Sequence, residues 1–456
     1  MTHGYFNTAA AGEGCSRREF LRRGRSAAAL SVLAGAAIPA VHAAEDNTIR
    51  LALIGCGGRG SGAVANAMEA PGGPVKLVAM ADLFESRLVS SYKTLSRQYG
   101  DRIDVPPERR FVGFDAYRKA IDCLRPGDIA LLTTYPAFRV VHLDYAVEKG
   151  VHVFMEKSFA TDPPGVRRII AAGRKAQQKN LKIAAGLMCR HSRNRQELIR
   201  RIRDGQLGQI LLVRAYRMEA VGPLGPRPPQ ENELLWQVRN SARFLWVSGG
   251  LFAEMDIHQV DEICWLLDSW PVNAHGIGGR AANSTDCSQN LDSFSVEWTF
   301  PDGAKGYDVV RYLPNCHTEF ATYVHGSKRA AQFSGSVHAG TVRIYKDQRI
   351  APDNILWEAE KEPITPWQAE WNVLLDAIRN DKPHNEAERA ALANLATIIG
   401  RAAVHSGKIV TWQEALASNF QWCKDIDHLS ADSPPPVTAD QHGRYPVPVP
   451  GAWTEI

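Results

Sequence analysis

Ile49-Arg50-Leu51-Ala52-Leu53-Ile54-Gly55-Cys56-Gly57-Gly58-Arg59-Gly60 is an apolar strand that empties into G-x-G-x-x-G, with the small, helix-compatible segment Ser61–Glu69 behind it. In a dinucleotide site each glycine has its own task. Gly55 permits the tight turn, Gly57 lets the backbone approach a pyrophosphate, and Gly60 lets the helix pack closely on the strand. Gly58 and Arg59 complete the loop, and phosphates would rest on the free N–H groups of the helix N-terminus. The glycines alone are a weak signal. A second strand, Val75–Ala81, strengthens it by ending in Asp82, about 20 residues on, where a ribose-binding carboxylate belongs. Asp82 favours NAD because a carboxylate repels a 2′-phosphate, with NADP left open.

The position of this strand, near residue 49, is explained by what precedes it. Ser16-Arg17-Arg18-Glu19-Phe20-Leu21-Arg22-Arg23 reads as a twin-arginine export signal, followed by the apolar stretch 27–38, Pro39 and a small-residue cleavage site at Val41-His42-Ala43-Ala44. The apolar stretch is too short to span a bilayer comfortably. The expectation is a signal at 1–44, removed on export to the periplasm or another extracytoplasmic space, with no stable membrane insertion afterwards.

The chain carries a formal net charge of +4. Five arginines against two glutamates in residues 1–43 account for most of it, so the remainder is near neutral and has no general pull toward nucleic acid. The basic run Arg190, Arg193, Arg195, Arg200, Arg201, Arg203 reads as a solvated helix face. Eight cysteines are scattered without C-x-x-C spacing, which indicates neither a zinc site nor a dense disulfide framework. No metal is expected.

After Asp82, helices at 85–99, 116–123 and 140–148 alternate with strands at 128–133 and 151–155. Gly150 is placed to cap the third helix in the left-handed conformation. This alternation predicts an α/β fold whose first domain, residues 45–165, is a Rossmann-type doubly wound parallel sheet. Thr134, Pro136, Glu156 and Lys157 sit at the carboxyl ends of its strands, where loop residues would meet the nicotinamide half of the cofactor.

At Glu156-Lys157 the sequence becomes more specific. Tyr135-Pro136, His142 and Gly150-Val151-His152-Val153-Phe154-Met155-Glu156-Lys157 resemble the glucose–fructose oxidoreductase/inositol dehydrogenase/MocA (Gfo/Idh/MocA) family, whose nucleotide domain ends its fifth strand in E-K-P. The similarity runs from about Ile49 to Leu416 and is greatest to the exported branch with twin-arginine signals. It implies a C-terminal α+β domain, residues 166–432, built on a large open, mostly antiparallel sheet that walls the substrate site and often joins dimers or tetramers. Two departures stand out. Ser158 replaces the proline, which puts a cis bond there in doubt, and Arg139 lies near where many relatives have a histidine close to the nicotinamide.

Lys157 has a role on physical grounds as well. An ammonium desolvated at a strand end beside a cofactor can trade a proton or polarise a hydroxyl. A structural salt bridge, with Glu156 for instance, is the bland alternative. In Ser248-Gly249-Gly250-Leu251-Phe252-Ala253-Glu254-Met255-Asp256-Ile257-His258 two glycines lead into a helix on which Glu254 and His258 share a face. By resemblance these match the family's acid–base pair, with Glu in place of the commoner Asp. Asp261 would orient or cap. Arg190, His191, Trp236 and Arg239 fall where substrate contacts are expected.

Beyond Trp270 the chain reads as strands at 272–276, 293–300, 306–311, 318–325, 330–333 and 342–345, then helices at 367–379 and 386–405. Residues 433–456 are Pro-rich and read as a strap or tail. The expected chemistry is hydride transfer between a sugar, polyol or glycoside carbinol and a tightly held nicotinamide cofactor. A redox-neutral NAD-dependent glycoside hydrolase or lyase, and a non-catalytic dinucleotide sensor, are the alternatives.

Overall fold

The computed structural model describes residues 47–335 and 340–456; the export signal expected at 1–44 lies outside them. Strand β1 (Ile49–Ile54) is buried along nearly its whole length and pairs in parallel with β2 (Val75–Asp82) on one side and β4 (Ile129–Leu132) on the other. With β3 (Arg110–Val112), β5 (His152–Met155) and β6 (Ile183–Ala185) they form a six-stranded sheet in the order β3-β2-β1-β4-β5-β6, every pairing parallel. Such a sheet needs helices on both faces, which is why its strands read as continuous apolar runs. The order is that of a Rossmann fold, so a ligand crevice lies outside the carboxyl ends of β1 and β4. The sixth strand comes after residue 165, so the first layer runs past the boundary expected from spacing.

A second sheet of nine strands follows: β7 (Ile210–Met218), β8 (Asn273–Gly279), β9 (Ser293–Thr299), β10 (Lys305–Arg311), β11 (Glu319–Gly326), β12 (Ala330–Gly335), β13 (Arg343–Tyr345), β14 (Ile355–Glu358) and β15 (Val410–Thr411). Their order is β14-β13-β12-β11-β7-β10-β9-β8-β15. All pairings are antiparallel except β7 with β10. One face is covered by the helices Ile257–Leu267 and Ala387–Ser406. That covered face is not wholly apolar. Glu262 accepts from Thr322 Oγ1 at 2.6 Å and faces Arg195 at 3.3 Å. Arg195 is therefore buried, a correction to the solvated-face reading. Its neighbours Arg200, Arg201 and Arg203 do pair with carboxylates on the surface.

The helix Pro366–Arg379 leaves the second half of the chain and returns to pack on the helix Gly58–Glu69 behind the glycine loop. The C-terminal residues are an ordered strap. Tyr445 is buried and its hydroxyl donates to Glu233 at 2.8 Å. Glu455 is buried between Arg401, at 2.7 Å, and His405, at 2.9 Å. Arg401 in turn donates to the carbonyls of Gly249 and Thr161. Among the described residues no disulfide joins the seven cysteines from Cys56 to Cys423. Among the described residues no helix is long and apolar enough to cross a membrane.

Candidate active site

The glycine loop is shaped by contacts no side chain could tolerate. Gly55 has φ +103°, and a Cβ there would stand 2.6 Å from the Thr133 carbonyl carbon. A Cβ on Gly60 would stand 2.2 Å from the Gly55 oxygen, so helix and strand can approach only if residue 60 is glycine. The space over Gly57 and Gly58 is open to 4 Å. Gly57 caps the helix Gly58–Glu69 without a side-chain partner for the first amides, which face outward as phosphate donors. Gly60→Ala is expected to cost about 1–3 kcal/mol of stability by overpacking and to weaken nucleotide binding. Thermal melting with and without nucleotide checks this, and an unshifted melt in both would refute it.

The loop opens on a cleft of about 410 Å³ lined by Gly55, Gly57, Asp82, Arg87, Thr134 and Tyr135, among others. Asp82 ends β2 at its wall. Its carboxylate accepts from the amides of Cys56 at 2.6 Å and Phe84 at 2.8 Å, while burial raises its pKa. Arg87 donates to the Tyr135 hydroxyl at 2.6 Å and lies over the Phe84 ring. Open glycine backbone, free amides and a carboxylate at the second strand end suit a nicotinamide dinucleotide.

A smaller cavity of about 170 Å³ adjoins, lined by Arg59, Glu156, Lys157, Gly186, Met188, Arg217, Glu254, Met255, His258 and Trp367. Arg59 lines both spaces. It is held there by Glu156, which takes its Nε, and by buried Glu370, 3.5 Å from its Nη2. Burial, reinforced by the nearby Glu156, raises the Glu370 carboxyl well above the carboxylate range.

Lys157, Glu254 and His258 thus share one cavity. Lys157 Nζ donates to the Glu254 carbonyl at 2.6 Å and to its carboxylate at 3.1 Å. The carboxylate that pairs with the lysine is therefore Glu254, not Glu156. The helix is broken at Asp256, whose carboxylate accepts from the Tyr312 hydroxyl, and restarts at Ile257. This break sets the offset between Glu254 and His258.

The peptide Lys157–Ser158 is cis although no proline follows the lysine. The Ser158 hydroxyl donates to the Ala253 carbonyl, tying the turn to the helix that bears Glu254. Arg139 is fully buried and donates to the carbonyls of Thr134 and Ser158. Its guanidinium latches together the loops after β4 and β5. Burial lowers it to about 10, so it remains charged at neutral pH. His142 accompanies it, 3.0 Å from Thr134 Oγ1 and stacked on Tyr117. Burial, with Arg139 and Arg118 nearby, lowers this imidazole to about 3, so it is neutral.

Several expected contacts are elsewhere. Pro136 is the first residue of the helix Pro136–Lys149 and faces Asp162 and Cys423 across a separate crevice, away from the cleft. Arg190 is bound by Asp261 through Nε and Nη2, both at 2.9 Å, and lies over Trp265 instead of in the cavity. His191 faces Glu386 at 3.4 Å. Trp236 is buried against Tyr445 and Phe244. Arg239 stands over the Phe84 ring, 4.5 Å from its centroid, on the nucleotide side. The sequence reading also missed Arg217, Met188, Met255 and Trp367. Arg217 sits on the covered face of β7, and Trp367 arrives on a helix remote in sequence, so no local motif marks either.

Among the described residues no group of three or more His, Cys, Asp or Glu side chains is arranged to hold a metal. Residues 196–332 match the GFO/IDH/MocA C-terminal domain. The fold is shared with an aldose–aldose oxidoreductase from Caulobacter crescentus complexed with glycerol (20% identity, TM-score 0.61, covering 80% of this chain and 99% of that one). It is shared also with a scyllo-inositol dehydrogenase from Lactobacillus casei with bound NAD(H) and scyllo-inositol (19%, TM-score 0.59, 80% and 99%). A third is an oxidoreductase from Agrobacterium radiobacter in complex with NAD+, L-tartaric acid and magnesium (13%, TM-score 0.60, 80% and 98%). Domain match and fold together show that the chain is similar to the Gfo/Idh/MocA proteins, with their C-terminal domain in residues 196–332.

Proposed function

We propose that the protein is a nicotinamide-dependent oxidoreductase acting on a carbinol of a sugar, polyol or glycoside. The observation that supports this most directly is the junction at Arg59, where a dinucleotide-shaped cleft meets a small cavity that contains Lys157, Glu254 and His258. The names of the structural neighbours, an inositol dehydrogenase with NAD(H) among them, support the same reading.

Gly57, Gly58 and the helix N-terminus would hold the pyrophosphate, and Asp82 the adenosine ribose. The nicotinamide, when bound, supplies the hydride acceptor or donor. The chain's part is to position the carbinol and move its proton. Lys157 Nζ, anchored on Glu254, points a cationic donor at the substrate hydroxyl and lowers the cost of an alkoxide. His258, across the same cavity, can take the hydroxyl proton as general base.

The reading is tested by extracting nucleotide from the purified protein and following NADH absorbance with sugars, inositols and glycosides. No turnover and no bound nucleotide would overturn it. Cofactor choice has its own test. Asp82→Ser is expected to shift the NAD-over-NADP preference by about 10–100-fold toward NADP, because a like charge beside the 2′-phosphate is removed. An unchanged ratio of kcat/KM values would refute Asp82 as the selector.

A further inference from the structure

Asp256 stands where the chain passes from one helix to the next. Its N–H donates to the Phe252 carbonyl at 2.9 Å at the end of the helix Gly250–Met255. Its carbonyl accepts from the Val260 N–H at 2.9 Å at the start of the helix Ile257–Leu267. Glu254 lies two residues before this point and His258 two after it. The Asp256 side chain reaches the second sheet, where it accepts from the Tyr312 hydroxyl and meets the carboxyl group of Asp308 on β10.

Both carboxyl groups are wholly buried. Among the described residues, neither oxygen of Asp308 nor Oδ1 of Asp256 accepts a hydrogen bond from an N–H or a hydroxyl. The cation that bears on both is Arg217 on β7, which also pairs with Glu219 and donates to Met255 Sδ at 3.6 Å. Glu262, on the helix that carries His258, adds negative charge on the Asp308 side and is matched to Arg195. Three carboxyl groups, Asp256, Asp308 and Glu219, thus converge on one guanidinium. At that charge balance two buried carboxylates in contact cannot both be ionised, because desolvation and mutual repulsion each oppose it. A proton between them turns the repulsion into a hydrogen bond and gives an orphaned oxygen its donor.

We propose that Asp256 and Asp308 share a single proton, and that this proton clamps the helix break to the sheet and so sets Glu254 against His258. The pair acts through the break and touches no reacting atom, so Asp308 is a positioning residue. What it positions rests on the oxidoreductase reading of the same site. Burial pushes both carboxyls up, and for Asp308 the Asp256 charge adds to it. The Tyr312 phenol is raised by burial and then by Asp256, so it remains a donor. A carboxyl raised by folding lends its full stability below the ordinary value, near 4, and loses it as pH climbs toward the folded value. Removal of the shared proton leaves two adjacent buried charges, which pushes Asp256 off the sheet and moves the break.

The test compares the wild type with Asp308→Asn, which keeps a donor to Asp256 but cannot titrate, and Asp308→Ala, which keeps neither. Melting temperature is measured across pH for all three. So are nucleotide affinity and kcat with NAD and a panel of inositols, aldoses and glycosides. Wild-type melting is expected to fall as pH rises above about 4, and Asp308→Asn to flatten that fall. Asp308→Ala should lose about 10–100-fold in kcat by misplacing the reacting groups, with nucleotide affinity unchanged. Asp308→Asn should recover most of that and carry the alkaline decline of kcat to higher pH. Melting of the asparagine variant that follows the wild type at every pH, or an alanine variant with wild-type kcat, would overturn the clamp. Should the alanine variant fail to fold, the two pH profiles of Asp308→Asn decide alone, and an alkaline decline left in place refutes the positioning role. A flattened melting profile in a protein without any turnover sinks the oxidoreductase reading, and the positioning role with it, while the shared proton stands.

Discussion

Lys157→Met is expected to slow hydride transfer by about 10²–10⁴-fold, the usual span for a positioned proton-transfer group, while nucleotide remains bound. Methionine keeps the stem and deletes the charge. Lys157 Nζ is held by both the carbonyl and the carboxylate of Glu254, so its removal leaves that carboxylate in the cavity without its cationic partner. An unpaired carboxylate opposes formation of an alkoxide, which adds to the loss of the donor. Single-turnover reduction of bound nucleotide, read by absorbance with substrate in excess, isolates this step from product release. Nucleotide affinity measured in parallel guards against a trivial loss of the loop. A rate within about threefold of wild type would be incompatible with a proton-transfer role for the lysine.

Glu455→Ala is expected to be the most damaging single change far from the site, at about 3–5 kcal/mol, because it leaves a buried guanidinium uncompensated. Burial by itself raises the Glu455 carboxyl, but Arg401 and then His405 outweigh it and bring it down to about 2. A carboxylate whose pKa is depressed by folding stabilises the native state fully above its ordinary pKa, near 4.5, and loses that contribution as pH falls toward 2. The wild type should therefore lose melting temperature steeply between about pH 4.5 and 2, and the gap to Glu455→Ala should narrow across the same interval. A variant that melts with the wild type at pH 7 would refute the assignment. Because Arg401 also donates to the carbonyl of Gly249, just ahead of the helix bearing Glu254, a partial loss of activity should accompany the loss of stability.

The parts of the fold legible in the sequence are those fixed by neighbours along the chain. The helix Glu85–Tyr99 matches its expected bounds, and Gly150 and Gly407 adopt the left-handed conformation at the ends of the helices they close. The glycine loop and Asp82 were readable for the same reason, since turn, helix start and strand end all lie within one βαβ unit. Strand β7 was not, although it is central to the second sheet. Arg217 occupies a covered position on it, so its alternation does not separate apolar from polar, and it follows a helix already rich in arginine. The pairings of Arg190 and His191 were not legible for a different reason. Their partners, Asp261 and Glu386, are distant in sequence, and nothing in the local spacing announces a pairing that consumes the side chain. The contacts that hold the Ser158 turn, from Arg139 and to Ala253, likewise come from residues outside its own loop.

Arg59 belongs to both chambers, and this has a thermodynamic consequence. If a nucleotide in one chamber changes the affinity of the second ligand by some factor through Arg59, the second ligand must, by linkage, change the nucleotide's affinity by the same factor. A nucleotide that remains in place throughout turnover would then act as a standing effector, setting how tightly each incoming sugar is held.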